Sequence, residues 1–208
     1  MSNEITFLLI GMILGITGAL SPGPLLALVI SETLKYNLKE GIKVAVAPLI
    51  TDGPIILFVF LIVNKLANFN IVVGTIAILG SLYLLYLAYQ NIFVRQIKIK
   101  IKETKTASIR KGILTNFLNP YPYIFWIFVG GPIIVKSLEV SVLAPIIFLF
   151  TSYFFAVGTL ITVAFVVQKL RNFLKTKIYI YIVRILGFVL LVFAFIFMKE
   201  GLSRIGIF

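Results

Sequence analysis

Six long, charge-poor apolar runs divide the 208 residues of this chain. About 20 consecutive apolar residues are enough for an α-helix to cross the hydrocarbon core of a bilayer, and every run reaches that length. The runs cover residues 5–30, 44–63, 70–94, 113–135, 140–167 and 178–198. Only 12% of all residues are charged, about half the share found in soluble domains. The sequence therefore predicts an all-α integral membrane protein with six transmembrane helices.

The basic residues between these runs indicate how the protein is oriented. Fourteen of the 19 Lys and Arg residues lie between runs one and two, three and four, or five and six, and only four lie on the opposite side. Positively charged loops face the cytoplasm, so we expect both termini outside a plasma or inner membrane. The net charge of +12 then reflects loops that touch anionic lipid headgroups. The bilayer, and not nucleic acid, is the expected partner of this charge.

Several residue types needed for common chemistry are missing. The chain has neither Cys nor His, which excludes disulfides, thiolate metal sites and histidine general bases. Paired carboxylates and Ser/His or Cys/His arrangements, which serve acid–base and nucleophilic catalysis, are missing too. We therefore expect no enzyme activity, no metal site and no cofactor.

Two short proline motifs suggest an internal repeat. The segment LSPGPL at 20–25 aligns with LNPYPY at 118–123, so that both prolines of a P-x-P coincide, and Thr51-Asp52 and Thr151-Ser152 follow at similar distances. Three spans are an odd number, so the second copy would be inverted, as in many secondary transporters. The prediction is a single transmembrane transporter domain, 1–208, with repeat one at about 1–94, a basic cytoplasmic loop at 95–112 and repeat two at about 113–208.

The same motifs predict that helices one and four are broken. Prolines in membrane helices can also be simple kinks. A true break creates a half-helix N-terminus whose N–H groups and positive dipole end attract an anionic ligand group. If the helices are truly broken, the candidate substrate-binding residues are Ser21, Pro22, Gly23, Pro24, Asn119, Pro120, Tyr121 and Pro122.

Asp52 is the only aspartate and the ninth residue of the run 44–63, which places it close to the bilayer midplane. An aspartate there costs about 2.5–3.5 kcal/mol on insertion scales and usually marks an ion or substrate pathway. The alternative is a structural carboxylate paired with a neighbouring helix. Asp52 is therefore the candidate proton carrier and ammonium-binding residue, and Thr51 is a secondary candidate. Arg184 either snorkels to the cytoplasmic interface or takes part in an ion pair or in substrate binding.

Two blocks of the chain resemble the LysE-type amino-acid exporter family. They are GITGALSPGPLLALVISETLKYNLKEGIKVAVAPLITDGP at 15–54 and SIRKGILTNFLNPYPYIFW at 108–126. The resemblance implies a six-helix exporter of amino acids or related metabolites that exchanges them for protons. Pro22, Gly23 and Pro24 match the first family motif, Asp52 matches the acidic position, and Asn119 and Pro120 match the second motif.

The second block also adds one candidate site residue and differs from the family pattern at one position. It contains Asn116, which we add as a secondary site residue. Many family members carry lysine after the Asn-Pro pair, whereas this chain has Tyr121. The substrates of those members therefore do not transfer to this protein.

Other functions remain as alternatives from the residues themselves. A cation exporter of the same broad superfamily is the runner-up, although a divalent cation wants several oxygen ligands, or Cys and His. A purely structural membrane protein would need neither Asp52 nor paired breaks. Gly11, Gly15 and Gly18 form a small-residue face that serves either packing within the chain or a homodimer.

Overall fold

The computed structural model describes residues 2–21, 23–63, 69–93, 107–171 and 176–207, and every regular element among them is a helix. Pro22 lies outside the described residues. The elements are α1 (Ser2–Leu20), α2 (Pro24–Lys35), α3 (Leu38–Ala45), α4 (Ala47–Val63), α5 (Phe69–Ile92), α6 (Ser108–Phe117), α7 (Pro120–Phe125), a π-helical segment (Trp126–Gly130), α8 (Gly131–Leu138), α9 (Leu143–Arg171) and α10 (Thr176–Arg204).

Five helical segments are long and apolar enough to cross a membrane, and α1 with α2 adds a sixth if this bent pair is one span. The five are Leu38–Leu61, Val73–Ile92, Pro120–Leu138, Leu143–Leu170 and Ile180–Arg204. The prediction of an all-helical, multi-pass membrane protein is thus confirmed for the described residues. The inverted repeat itself remains a proposal.

Prolines coincide with the starts of several helices. α1 ends at Leu20 and α2 begins at Pro24, with their axes bent by 63°. α6 ends at Phe117 and α7 begins at Pro120. Proline suits the first turn of a helix because the N–H that it lacks would have no intrahelical partner there. α6 itself begins at Ser108, so residues 108–112, which the sequence groups with the basic loop, are helical.

Glycines allow α1 to lie directly against α9. A Cβ atom on Gly11 would lie 2.1 Å from the Thr151 Oγ1, and one on Gly15 would lie 2.4 Å from the Ser152 carbonyl oxygen. These two glycines therefore serve packing within the chain. A Cβ on Gly18 would meet nothing within 4 Å, so Gly18 has no such role.

Gly80 of α5 is equally tight against the junction between α6 and α7. A Cβ there would lie 1.9 Å from the carbonyl oxygen of Leu118. We expect Gly80→Ala to lower the unfolding free energy by about 1–3 kcal/mol, the usual cost of overpacking. Thermal unfolding in detergent measures this. Gly158→Ala is the matched control, because a Cβ there meets nothing within 4 Å, and an equal loss of stability in both variants would contradict the explanation.

Candidate functional site

Asp52 lies between α4 and the last turn of α6, in contact with Asn116. The Asn116 side-chain amide donates to the Asp52 carboxylate (Nδ2–Oδ1 2.7 Å) and to the Thr51 hydroxyl (Nδ2–Oγ1 2.6 Å). Thr51 Oγ1 is 3.3 Å from the Asp52 carboxylate and also donates to the Ala47 carbonyl oxygen at 3.1 Å. Thr51 is fully buried and Asn116 is buried. The structure thus joins three of the sequence candidates into one polar cluster, which we call the Asp52 cluster.

The local sequence explains why this part of α4 can hold a polar cluster. Pro54 lies inside the helix and has no N–H to donate to the preceding turn. The carbonyl oxygen of Ile50, two residues before Asp52, therefore lacks its usual donor within the helix. Gly53 and Pro54 are exposed, whereas Asp52 is half-buried. The side chain points into the bundle at a place where the helix is intrinsically weak.

The carboxylate of Asp52 has no cationic partner among the described residues. The salt bridges found in the described part of the chain join Lys43 to Glu40, Lys111 to Glu32 and Arg204 to Glu200. Asp52 is instead held by neutral donors. Its charge is thus left for a ligand or a proton to neutralise.

Two aromatic side chains complete the surroundings of the carboxylate. Trp126, at the start of the π-helical segment, and Tyr153 of α9 both lie near Asp52, with their ring centroids 6.3 Å apart. The Tyr153 hydroxyl is buried and forms no hydrogen bond within the described part of the protein. Tyr153 was missed by the sequence analysis, although it directly follows the Thr151-Ser152 pair of the proposed repeat.

A cavity of about 530 Å³ is lined in part by Trp126. Val59 and Phe60 of α4 form one wall, and the π-helical segment and α8 form the other. Lys136 and Glu139, at the end of α8, also line it. The cavity therefore connects the end of α8 with an aromatic side chain that lies near Asp52.

The proline motif before α2 lies apart from these hydrogen bonds. The Ser21 hydroxyl donates to the Thr17 carbonyl oxygen at 3.0 Å. Gly23 is extended (φ −164°, ψ 171°), a backbone that any residue adopts, and its carbonyl accepts from Ala27 at 3.1 Å. No side chain caps the start of α2, and Pro24 at that start is buried. The first turn of α2 therefore keeps N–H groups free of side-chain acceptors.

The second proline motif is different because Asn119 caps α7. Its side-chain Oδ1 accepts from the Tyr121 N–H at 3.0 Å. Pro120 is buried and Pro122 is half-buried. The Tyr121 ring packs edge-on against Phe197, with centroids 5.4 Å apart. Asn119 thus caps the start of α7, and Tyr121 packs against α10.

We expect Asn119→Ala to lower the unfolding free energy by about 1 kcal/mol, because loss of a capping oxygen leaves N–H groups of α7 unpaired. Thermal unfolding of the detergent-solubilised protein measures the effect. Asn119→Ser is the control, since serine caps equally well. A loss of the same size in both variants would contradict the capping role.

Arg184 lies apart from the residues that surround Asp52. It borders a second cavity, of about 350 Å³, together with Ile92, Phe93 and Phe188. These residues lie at the end of α5 and on α10. Snorkelling, and a part in an ion pair or in substrate binding, both stay predictions for this arginine.

A sequence model of the LysE type translocator family matches residues 16–201. This chain belongs to the LysE type translocator family. The match includes both proline motifs and every member of the Asp52 cluster, so the suspected family is confirmed. Searches among curated proteins and among solved structures found no significant match. Within the described residues, no group of three or more Asp, Glu, Cys or His side chains could hold a metal ion.

Family membership and the apolar helices make the protein a multi-pass membrane translocator. This is consistent with the expectation that the chain is not an enzyme.

Proposed function

We propose that this translocator exports amino acids or related small metabolites from the cytoplasm in exchange for protons, with Asp52 as the central binding and coupling residue. The observation that carries the proposal is a carboxylate inside a membrane-spanning segment that is held by Asn116 and Thr51 and forms no salt bridge with any of the described residues. Charges at membrane depth are rare and usually mark ion or substrate pathways. A cargo ammonium group or a proton would neutralise Asp52 in turn, which is the requirement for exchange.

The packing of the helices supports two inverted repeats. α1 packs against α9, and α4 packs against α6, α7 and the π-helical segment. The first contact joins spans one and five, and the second joins spans two and four. A two-fold axis that relates the two repeats would exchange these two contacts. α5 packs against α10, joining spans three and six, and such an axis maps that contact onto itself. The proposed transport cycle is a rocking of one half against the other around the Asp52 cluster.

In this proposal the carboxylate group of the cargo binds at the first proline motif, before α2, and not at the second proline motif, before α7. The first turn of α7 is already capped by Asn119, whereas α2 has no side-chain cap. In this proposal Pro22, which lies outside the described residues, Gly23 and Pro24 keep the start of α2 open for an anionic group. Ser21, whose hydroxyl bonds to its own helix, has only a structural part.

We further propose that the basic loops face the cytoplasm, with both termini outside the cell membrane, as the positive-inside rule predicts. The cavity beside Trp126 would then lie on the outer side and form the release path.

The test is efflux from proteoliposomes loaded with a panel of radiolabelled amino acids, measured with and without an imposed pH gradient. We expect at least one amino acid to leave faster when the gradient is present. Empty liposomes, and liposomes loaded with divalent cations, are measured in parallel. If a divalent cation moves and no amino acid does, the protein is a cation exporter and the proposal is wrong.

A further inference from the structure

A second buried carboxylate lies outside the Asp52 cluster. Glu32 of α2 is only 1% exposed, and its two carboxylate oxygens bind different groups of α6. Lys111 Nζ lies 2.8 Å from Oε1 and Ser108 Oγ lies 2.5 Å from Oε2. We propose that Glu32 and Lys111 form the cytoplasmic gate, an ion pair that must separate before cargo can reach Asp52 from the cytoplasm. This inference rests on the proposed export function.

More polar side chains surround this pair and tie a third helix to it. The Lys35 ammonium group hydrogen-bonds the side-chain oxygen of Asn91 in α5, and the Ser31 hydroxyl donates to the same oxygen at 3.3 Å. Lys111 also lies over the Tyr36 ring, 5.7 Å from its centroid. The cluster therefore connects α2, α5 and α6 at one end of the bundle.

The position of the pair is the one that a gate requires. α6 follows the basic loop, which the charge distribution assigns to the cytoplasm. Lys111 precedes Asn116 by five residues in the same helix, which is about 7.5 Å along its axis. Along α6, Lys111 thus lies between the start of the helix at Ser108 and Asn116 of the Asp52 cluster. Because α6 carries both Lys111 and Asn116, any movement of this helix changes the gate and the site together.

The two partners belong to different halves of the proposed repeat. Glu32 lies in repeat one, whereas Lys111 lies in α6, the helix that continues into repeat two. Rocking of the halves would therefore pull the pair apart. A buried ion pair is weak evidence for stability, since apolar residues of similar size often serve as well or better. Its best-attested use is to fix one arrangement among alternatives. Here the ion pair favours the closed arrangement. The gate opens when water or cargo takes the place of the partner that each charged group loses.

Cysteine labelling tests the gate without any cargo. The chain has no cysteine, so Thr115→Cys supplies a unique reporter; Thr115 is 2% exposed and lies one turn beyond Lys111. A membrane-impermeant maleimide is applied to the basic-loop face or to the opposite face of oriented vesicles. We expect T115C to be labelled slowly. Adding Glu32→Gln or Lys111→Gln should raise the labelling rate from the basic-loop face about tenfold, because the open state, which is minor in the parent protein, becomes populated.

Three controls decide whether the charge pair is responsible. Lys43→Gln breaks a pair of similar length, 2.7 Å, on a half-exposed lysine and is expected to leave the rate unchanged. Lys111→Arg keeps the charge, and the double swap Glu32→Lys with Lys111→Glu restores it in reverse. Both are expected to label slowly, and they keep the test valid if a single neutral variant fails to fold.

The gate is wrong if the neutral variants label no faster than T115C alone, if the rate rises equally from both faces, or if Lys111→Arg labels as fast as Lys111→Gln. Labelling requires no transport, so this outcome is independent of the efflux assay. The labelling result can support the gate even if no amino acid is exported. Conversely, an amino acid can be exported while the labelling result contradicts the gate.

Discussion

Asp52→Asn is expected to lower pH-gradient-driven efflux of the cargo amino acid by roughly 100-fold in proteoliposomes, since a hydrogen bond to a charged group is worth about 1.5–3 kcal/mol and each 1.4 kcal/mol is about tenfold. Asparagine has nearly the shape of aspartate and can keep a hydrogen bond to Asn116 or Thr51. It cannot carry a proton or pair with an ammonium group. We expect exchange of labelled for unlabelled cargo without a gradient to fall as well, because both roles are assigned to the same carboxylate.

Glu200→Gln is the matched control for this substitution. Glu200 pairs with Arg204 near the end of α10, far along the chain from the Asp52 cluster, and partly exposed pairs of this kind contribute little. Efflux by this variant should equal that of the wild type. Full gradient-driven efflux by Asp52→Asn would remove Asp52 from the mechanism. Loss of the gradient effect alone, with exchange intact, would limit Asp52 to proton transfer.

The spans could be predicted from the sequence because apolar runs and charged loops are both one-dimensional properties. Helix ends were less predictable. Arg110 and Lys111 made residues 108–112 look like loop, but Lys111 is neutralised by Glu32 inside the bundle. The charge pattern alone cannot distinguish a lysine that meets headgroups from one that meets a carboxylate of another helix.

The site could be predicted only in part, for a similar reason. Asp52 is conspicuous because it is a single charge in an apolar run, and the family motif points to Asn116. Their contact depends on how α4 packs against α6 across 64 residues of chain, which no local pattern encodes. Glu32 lies just beyond the apolar run 5–30, where a charged residue is ordinary, so the sequence does not single it out. The start of α2 at Pro24 and its bend from α1 instead place it against α6.

Asn116→Ala is expected to reduce cargo efflux by roughly tenfold to 100-fold, because it removes the donor that holds both Thr51 and Asp52 and hydrogen bonds to charged groups are worth about 1.5–3 kcal/mol. The carboxylate remains but loses its fixed orientation. Initial efflux rates, normalised to the amount of protein in the liposomes, measure the effect. Thr115→Ala, at the neighbouring buried position, is the control and should retain most of the activity.

Exchanging the two residues separates a transport role of this pair from a structural one. The double variant Asp52→Asn with Asn116→Asp keeps one carboxylate and one amide in contact between α4 and α6, so thermal stability should return towards that of the wild type. Efflux should stay low, because the carboxylate then lies on the helix that also carries the gate lysine and no longer beside Gly53 and Pro54. If efflux returned together with stability, the site would need only a carboxylate between the two helices, and the specific assignment to Asp52 on α4 would be wrong.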